Sequence, residues 1–491
     1  MDDVDTLKTR AIRSGVTKMC AQAANFLIRI GSTMVLARLL SPKDYGLLAM
    51  VTSVTSVLGL LRDFGLSSAS IQRTAVTEEH SSALFWVNVL LGAVLTIVTF
   101  GLGPPIAAFY HERRLVGVAD VLAIGFLING AGAQHSALLQ REMRFGAVAL
   151  IDLISLTVGV VLAIGMAMAG FGYWALVVSG VSGPLISTVG SWLATKWIPG
   201  LPRKEVEIWS MMRFGGTMTL NGIIWTMATG FDKILLGRYW GPDATGIYSN
   251  ASQLIRIPID NLNTAVGDVA FSALSRIKDD PERIKRYFLK GYALVLALTL
   301  PITVGCAAFA DDCIAVLLGP KWAGAAAIFR ILAATILTFA ILNPLGWLLN
   351  ASGLVVRGLK IAIVFAPILI AGFGFGVLYG PIGVAAAYST VMTLGIFPLM
   401  IWAVHGTTIS AKDIVRTLGY PLISSVIAAT VALEITTTYA IQMVPPLRLL
   451  SETMIFGACY LAFLMSAAGY RSLFLDVLNG TLTGFKNDRE K

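Results

Sequence analysis

Residues 36–46 read LARLLSPKDYG and residues 236–246 read LGRYWGPDATG, and these two stretches decide the fold. At a constant offset of 200, Leu36 matches Leu236, Arg38 matches Arg238, Pro42 matches Pro242 and Gly46 matches Gly246. Upstream, Gly15/Gly215 and Thr17/Thr217 keep the same register. Each copy joins one long apolar run to the next through a tight turn of Pro and Gly. The chain is therefore a duplication whose repeating unit begins with two helices and a turn.

Around the two turns the composition is that of a membrane protein. Hydrophobic residues make up 56% of the 491 and charged residues only 13%, against about 25% charged in a soluble domain. Apolar runs of the roughly 20 residues needed to cross a bilayer recur throughout. Fourteen spans are read, at 14–37, 45–61, 83–109, 115–139, 147–169, 173–195, 214–236, 246–275, 288–310, 323–349, 361–379, 381–404, 417–440 and 453–470. Six spans separate the two turns, an even number, so both copies enter the membrane in the same orientation and the repeat is parallel. The sequence predicts an all-α polytopic membrane protein of about 14 transmembrane helices. Residues 1–195 form an N-terminal six-helix bundle and 196–213 a cytoplasmic connector. Residues 214–404 form a second six-helix bundle, and 405–491 hold helices 13 and 14 and a cytoplasmic tail.

The net charge of +9 does not indicate a nucleic-acid partner, because its placement follows the spans. Lys and Arg fall more than three to one on the segments sharing the side of the N-terminus. That is the positive-inside pattern, with both termini cytoplasmic. The first span follows a charged head (Lys8, Arg10, Arg13), is too long for a signal-peptide core and has no A-x-A-like site after it, so it stays in the protein. The four cysteines, Cys20, Cys306, Cys313 and Cys459, have no metal-ligand spacing and read as small apolar packing residues.

Polar residues within spans are costly and face a cavity or the bundle interior. In span one, Lys18, Gln22, Asn25, Arg29 and Ser32 fall on one helical face. In span two, Thr52, Ser56, Gly59 and Asp63 do the same, with Arg62 beside Asp63. Span seven carries Thr217, Asn221 and Asp232 on a face, with Lys233 adjacent. In span eight, Ser249, Gln253, Arg256, Asp260, Asn263 and Gly267 advance by alternating steps of four and three, while Leu254, Ile255, Ile257, Ile259 and Leu262 cover the other faces. Spans one and two and their repeat partners seven and eight thus carry the stripes, and a central cavity lined by these four is predicted. Lys18, Arg29, Arg62 and Arg256 give it a cationic character suited to a phosphate or diphosphate. Asp63, Asp232, Asp260 and Asp268, with Lys233 beside Asp232, either form ion pairs or bind a coupling Na⁺ or H⁺. Lys18 also fits a snorkelling role, and Arg38 and Arg238 fit a structural role at the turns.

No catalytic constellation accompanies these stripes. His80, His111, His135 and His405 are scattered at loops and span ends, and Gly372–Gly376 lies in an apolar span where close helix packing explains it. Neither cofactor nor metal is expected, and the reading is of a transporter, not an enzyme.

The runs LARLLSPKDYGLLAM (36–50), RDFGLSSASIQR (62–73), LLQREMRF (138–145), GFGYWALV (170–177) and DKILLGRYWGPDATGIYSNASQL (232–254) resemble the polysaccharide transporter family of Wzx-type and ExoT/WzxC-like flippases. Its wider superfamily also holds drug–sodium antiporters and the lipid II flippase. The resemblance implies a V-shaped pair of bundles in the bacterial inner membrane, alternating between inward- and outward-open states. It also implies an undecaprenyl-diphosphate-linked oligosaccharide as cargo for exopolysaccharide, capsule or O-antigen synthesis. By the same resemblance the head group sits in a cavity lined by helices 1, 2, 7 and 8, with Arg29, Arg62 and Arg256 on the diphosphate. The last two helices guide the lipid tail, and membrane lipids and other polysaccharide assembly proteins are the further partners. An ion-coupled drug or metabolite antiporter and a non-transporting assembly scaffold are the alternatives.

Overall fold

Within a bilayer every backbone amide needs a partner in the chain itself, and long apolar runs meet that need as helices. A computed structural model describes residues 22–62, 78–201, 209–276, 280–351, 354–439, 443–467 and 470–471, with side chains except at 209–219, 261–276, 281, 350, 351 and 355. In chain order the helices are α1 (22–39), α2 (Pro42–Leu61), α3 (Glu78–Tyr110), α4 (Arg114–Arg141), α5 (Phe145–Met168), α6 (Trp174–Thr195) and α7 (Trp209–Arg276). They continue with α8 (Pro281–Ala308), α9 (Ala310–Leu317), α10 (Gly324–Ala351), α11 (Val355–Gly376), α12 (Gly380–Val404), α13 (Ala411–Tyr439) and α14 (Pro445–Ser466). No strand occurs among the described residues. Among the described residues, ten segments are long and apolar enough to cross a membrane, and one of these, Val356–Val404, is itself the pair α11 and α12. The protein is an all-α, multi-pass membrane protein. Where its residues are described, each predicted span falls on a helix; α7 carries spans seven and eight as two arms, and the short α9 is an addition the sequence did not announce.

Both copies of the repeated turn are built by local chemistry. At the first, Ser41 caps α2: the Asp44 amide donates to its hydroxyl at 3.4 Å, and the Ser41 amide donates back to the Asp44 carboxylate at 2.9 Å. This reciprocal capping box satisfies two donors that the first helical turn would otherwise leave open. Pro42 follows at a position where its missing N–H costs nothing. At the second, Gly241 breaks α7 with φ 78° and ψ −174°, a conformation open to glycine, and Pro242 begins the next arm.

The two turns rest on each other. A Cβ placed on Gly46 would coincide with the Pro242 carbonyl, and one placed on Gly246 would coincide with the Pro42 carbonyl. The contact is self-complementary, each copy giving a glycine and receiving a carbonyl. From it α2 and the first arm of α7 run antiparallel: Gly237 lies against Met50 and Tyr110, and further on Gly230 lies near Ser53. Small residues are what permit this backbone approach in a membrane, where dispersion and close fit replace the hydrophobic effect between helices.

By its internal contacts the chain divides into one unit of residues 1–249 with Leu317–Lys321, and another of Asn250–Val316 with Trp322–Lys491. In the first unit α3 packs on α4, α5 on α6, and α4 on α6. In the second, α8 packs on α10, α11 on α12, and α10 on α12. Spans three to six and nine to twelve thus obey one packing scheme, as a parallel repeat requires. Helices α13 and α14 pack on each other and on α8. The first core joins Leu47 and Met50 of α2, Ile106 and Tyr110 of α3, Val118 of α4 and Val177 of α6. The second joins Tyr292 and Leu296 of α8, Leu345 of α10, Met400 of α12 and Ile414 of α13. Leu90, Ile97, Leu193, Leu394 and Phe397 are exposed, the side chains that lipid would cover. Cys313 and Cys459 pack against the Phe309–Phe456 cluster.

The substitution Gly46→Ala is expected to lower the thermal stability of the purified protein by about 1–3 kcal/mol, since the added methyl meets backbone that cannot yield. Gly101→Ala, where nothing lies within 4 Å, serves as the control. A melting curve of Gly46→Ala overlaying the wild type would show that the turns do not bear on each other.

Candidate functional site

The polar stripes take definite faces once the helices are packed. On α1, Gln22 and Arg29 are exposed and Asn25 is half-buried, its Oδ1 without a hydrogen-bond partner among the described residues. Arg62 is half-buried at the end of α2. On the first arm of α7, Asn221 and Lys233 are half-buried and Asp232 is buried. On the second arm, Gln253, Arg256 and Asp260 are exposed in succession, while Leu254, Ile255 and Ile259 are buried. Ile259 seats that arm beside Val295 of α8 and Ile336 and Asn343 of α10, which turns Arg256 away from the core. Lys18 and Asp63 lie outside the described residues, and Asn263 and Asp268 are described as backbone only.

Among the described residues, none of Arg29, Arg62 and Arg256 enters an ion pair. A guanidinium exposed at membrane depth must reach water or an anion, because hydrocarbon solvates it at a cost of several kcal/mol. A guanidinium so placed can bind a phosphate through parallel hydrogen bonds. Asp152 of α5 lies within electrostatic reach of Arg29. The sequence reading passed over it, since a single acid in span five belongs to no stripe and only the packing sets it near α1.

Asp232 has a different setting. It is 3% exposed, and its carboxylate accepts from the Tyr248 hydroxyl at 2.8 Å and from the Lys233 amide at 2.6 Å. Asp232 stands before the Gly241 break and Tyr248 after it, so this bond ties the two arms of α7 across the turn. The tie brings a residue of span seven to one of span eight that the stripes did not include. Tyr248 looks like an ordinary apolar-span aromatic in sequence, and only the break at Gly241 brings its hydroxyl back.

At the turns, Arg38 donates to the Met34 carbonyl at 2.8 Å and to the Leu317 carbonyl at 3.4 Å, while Lys321 donates to the Arg38 carbonyl at 3.0 Å. Its counterpart Arg238 lies 5.8 Å from the centre of the Phe109 ring. The two matched arginines hold the protein around the turns in different ways. His135 is wholly buried, with Nδ1 2.8 Å from the Thr195 hydroxyl and Phe85, Trp192 and Trp197 around its ring. It is a packing residue. Among the described residues no group of three or more His, Cys, Asp or Glu is placed to hold a metal ion.

Comparison with known proteins adds three findings. A family described as polysaccharide biosynthesis protein matches residues 35–327, which contain both copies of the turn. The chain is 28% identical over 356 residues to the teichuronic acid biosynthesis protein TuaB of Bacillus subtilis (70% of this chain, 72% of the other). It is 26% identical over 389 residues to the lipopolysaccharide biosynthesis protein WzxC of Escherichia coli (77% and 78%). Among solved structures, the lipid II flippase MurJ in its inward closed conformation superposes with a TM-score of 0.76 over 94% of this chain and 100% of its own, at 16% identity. At that identity the likeness is one of fold.

Tyr248→Phe removes one donor from a buried carboxylate and is expected to cost about 1–3 kcal/mol, read as a lower melting temperature. Equal melting of the variant and wild type would show that the arms of α7 are held by other contacts.

Proposed function

The chain belongs to the polysaccharide biosynthesis protein family, and from that premise we propose that it is a flippase for a lipid-linked oligosaccharide. The cargo is an undecaprenyl-diphosphate-linked repeat unit, carried from the cytoplasmic to the periplasmic leaflet of the bacterial inner membrane. The observation that carries the reading is the set of arginines, Arg29 and Arg256 above all, exposed on helices whose other faces are apolar and committed to no ion pair among the described residues. A diphosphate alone would have to shed its water to cross about 30 Å of hydrocarbon. Guanidinium and amide groups replace that water, while the polyprenyl tail stays in lipid.

In this reading Arg29, Arg62 and Arg256 hold the diphosphate. Lys18, Gln22, Asn25, Asn221, Gln253 and Asn263 contact the sugar and phosphate oxygens. Alternating access moves the cargo: the site opens to one side, then the other, and release needs an outward state of weaker affinity or an ion gradient to drive the return. Asp63, Asp232, Lys233, Asp260 and Asp268 are the ion-coupling or ion-pair groups, with Na⁺ or H⁺ as the ion. No bond of the cargo is made or broken, so the protein is a transporter and not an enzyme, with no cofactor. The parallel repeat supports two alternating bodies, and the relatives named for cell-envelope polysaccharides support the cargo class. Both termini are cytoplasmic, as the Lys and Arg distribution favours.

In proteoliposomes with a fluorescent polyprenyl-diphosphate sugar, Arg29→Ala and Arg256→Ala are each expected to slow translocation about tenfold or more, the loss of one charge-assisted contact. Leu193→Ala, on an exposed apolar position, should match the wild type. Wild-type rates in both arginine variants would remove the diphosphate site from this reading. In a cysteine-free background in whole cells, Arg113→Cys should react with a membrane-impermeant maleimide, and His405→Cys should react only after the membrane is opened. The reverse pattern would invert the assigned orientation.

A further inference from the structure

At one end of α8, a group of charged side chains from distant parts of the chain converges in the second unit. Arg448 of α14 clasps Asp312 of α9 through two bonds, Nε to Oδ2 at 2.7 Å and Nη2 to Oδ1 at 2.5 Å. Asp312 is 5% exposed. One helical turn beyond Arg448, Glu452 is 4% exposed, and its carboxyl lies against that of Asp312 at hydrogen-bonding range. Oε2 of Glu452 is buried with no hydrogen-bond partner among the described residues. These groups line a cavity of about 160 Å³ with Asp311, Thr436 and Thr437.

Charge balance determines what the cavity holds. Arg448 neutralises Asp312, and Arg330 of α10 neutralises Asp311 at 2.5 Å in a more exposed pair. The thiols of Cys313 of α9 and Cys306 of α8 lie nearby, and α13 presents to the cavity the hydroxyls of Thr436 and Thr437 but no titratable group. Glu452 shares with Asp312 the one Arg448 guanidinium that Asp312 already occupies, so two buried carboxyls face a single cation. Two carboxyls in contact resist ionising together, and a hydrogen bond between them exists only when a proton lies on one. A metal cation fits the place poorly. Asp312 already holds the Arg448 guanidinium through both oxygens, and that positive charge repels a second cation at the same carboxylate. Any ion there would also sit beside Arg448.

We propose that Asp312 and Glu452 form a proton-binding site, in which one exchangeable proton is shared by two buried carboxyls beside Arg448 and passes to and from the adjoining cavity. On binding, the proton forms an O–H bond on Glu452 and donates to Asp312. On release it leaves Glu452 ionised against Asp312, which loosens the attachment of α14 to α9. Loading and unloading of this site supplies a proton for coupling the transport proposed above; that last step alone rests on the transport reading.

The test is infrared difference spectroscopy of the full chain in lipid nanodiscs, between acidic and alkaline buffers in H₂O and D₂O. A protonated-carboxyl stretching band that shifts in D₂O and fades as pH rises is expected for the wild type. It should lose one carboxyl's amplitude in Glu452→Gln, whose amide keeps the shape and still donates to Asp312. Glu452→Asp, with a carboxyl one methylene shorter, should keep the band at a moved frequency, and stands in if the Gln variant does not fold. Exchanging Na⁺ for choline at constant pH should leave the wild-type band unchanged. Full amplitude in Glu452→Gln, an unmoved band in Glu452→Asp, or loss of the band on adding Na⁺ would each overturn the proposal. None of these readouts depends on translocation, so failure of the flippase reading would be seen separately, in the proteoliposome assay.

Discussion

At the two repeated turns, backbone rests on backbone: Gly46 on the carbonyl of Pro242 and Gly246 on that of Pro42. The start of α2 and the two arms of α7 are arranged around this approach. It places α2 antiparallel to the first arm of α7 and sets Gly237 against Met50 and Tyr110. A side chain at either glycine would hold the two turns apart. In lipid there is little hydrophobic gain from joining two apolar helices, so closeness of fit is the term that remains. A repeated glycine at a repeated turn is the cheapest way to obtain it, and the duplication supplies both halves at once.

A second constraint runs along the stripes. Exposed apolar side chains such as Ile97 and Leu193 suit lipid, but Arg29 and Arg256 do not. The same helices that meet hydrocarbon must therefore present one face to water, at a cost. Asp232 shows the other way of treating a charge in the membrane. It is buried and hydrogen-bonded, and it serves to bind one arm of α7 to the other. Charged residues of like appearance in sequence thus divide into those open to an anion and those that hold the fold.

Much of the architecture was legible because it follows from periodicity. Spans are long apolar runs, the repeat is a register of identical residues, and a stripe is a step of three or four. Gln253, Arg256 and Asp260 do share the exposed face, with Leu254, Ile255 and Ile259 opposite. Contacts made by single residues far apart in the chain were not legible. Asp152 near Arg29, Tyr248 on Asp232, and Arg448 with Asp312 carry no local signature, since each depends on where a second helix comes to lie. Glu452 falls just before the last apolar span, 453–470, because hydropathy averages over a window and is blind to a single buried carboxyl.

The sequence by itself determined the class, the succession of long apolar spans, the duplicated turn and the faces that carry polar groups, because each is a property of spacing along one chain. Only the tertiary structure decided which charges are committed and which are open, that the two turns lie against each other, and that Asp312, Arg448 and Glu452 share one cavity. The reason is physical: burial, charge neutralisation and close approach are properties of pairs of atoms in space, and the chain between such pairs is too long to write them in its pattern.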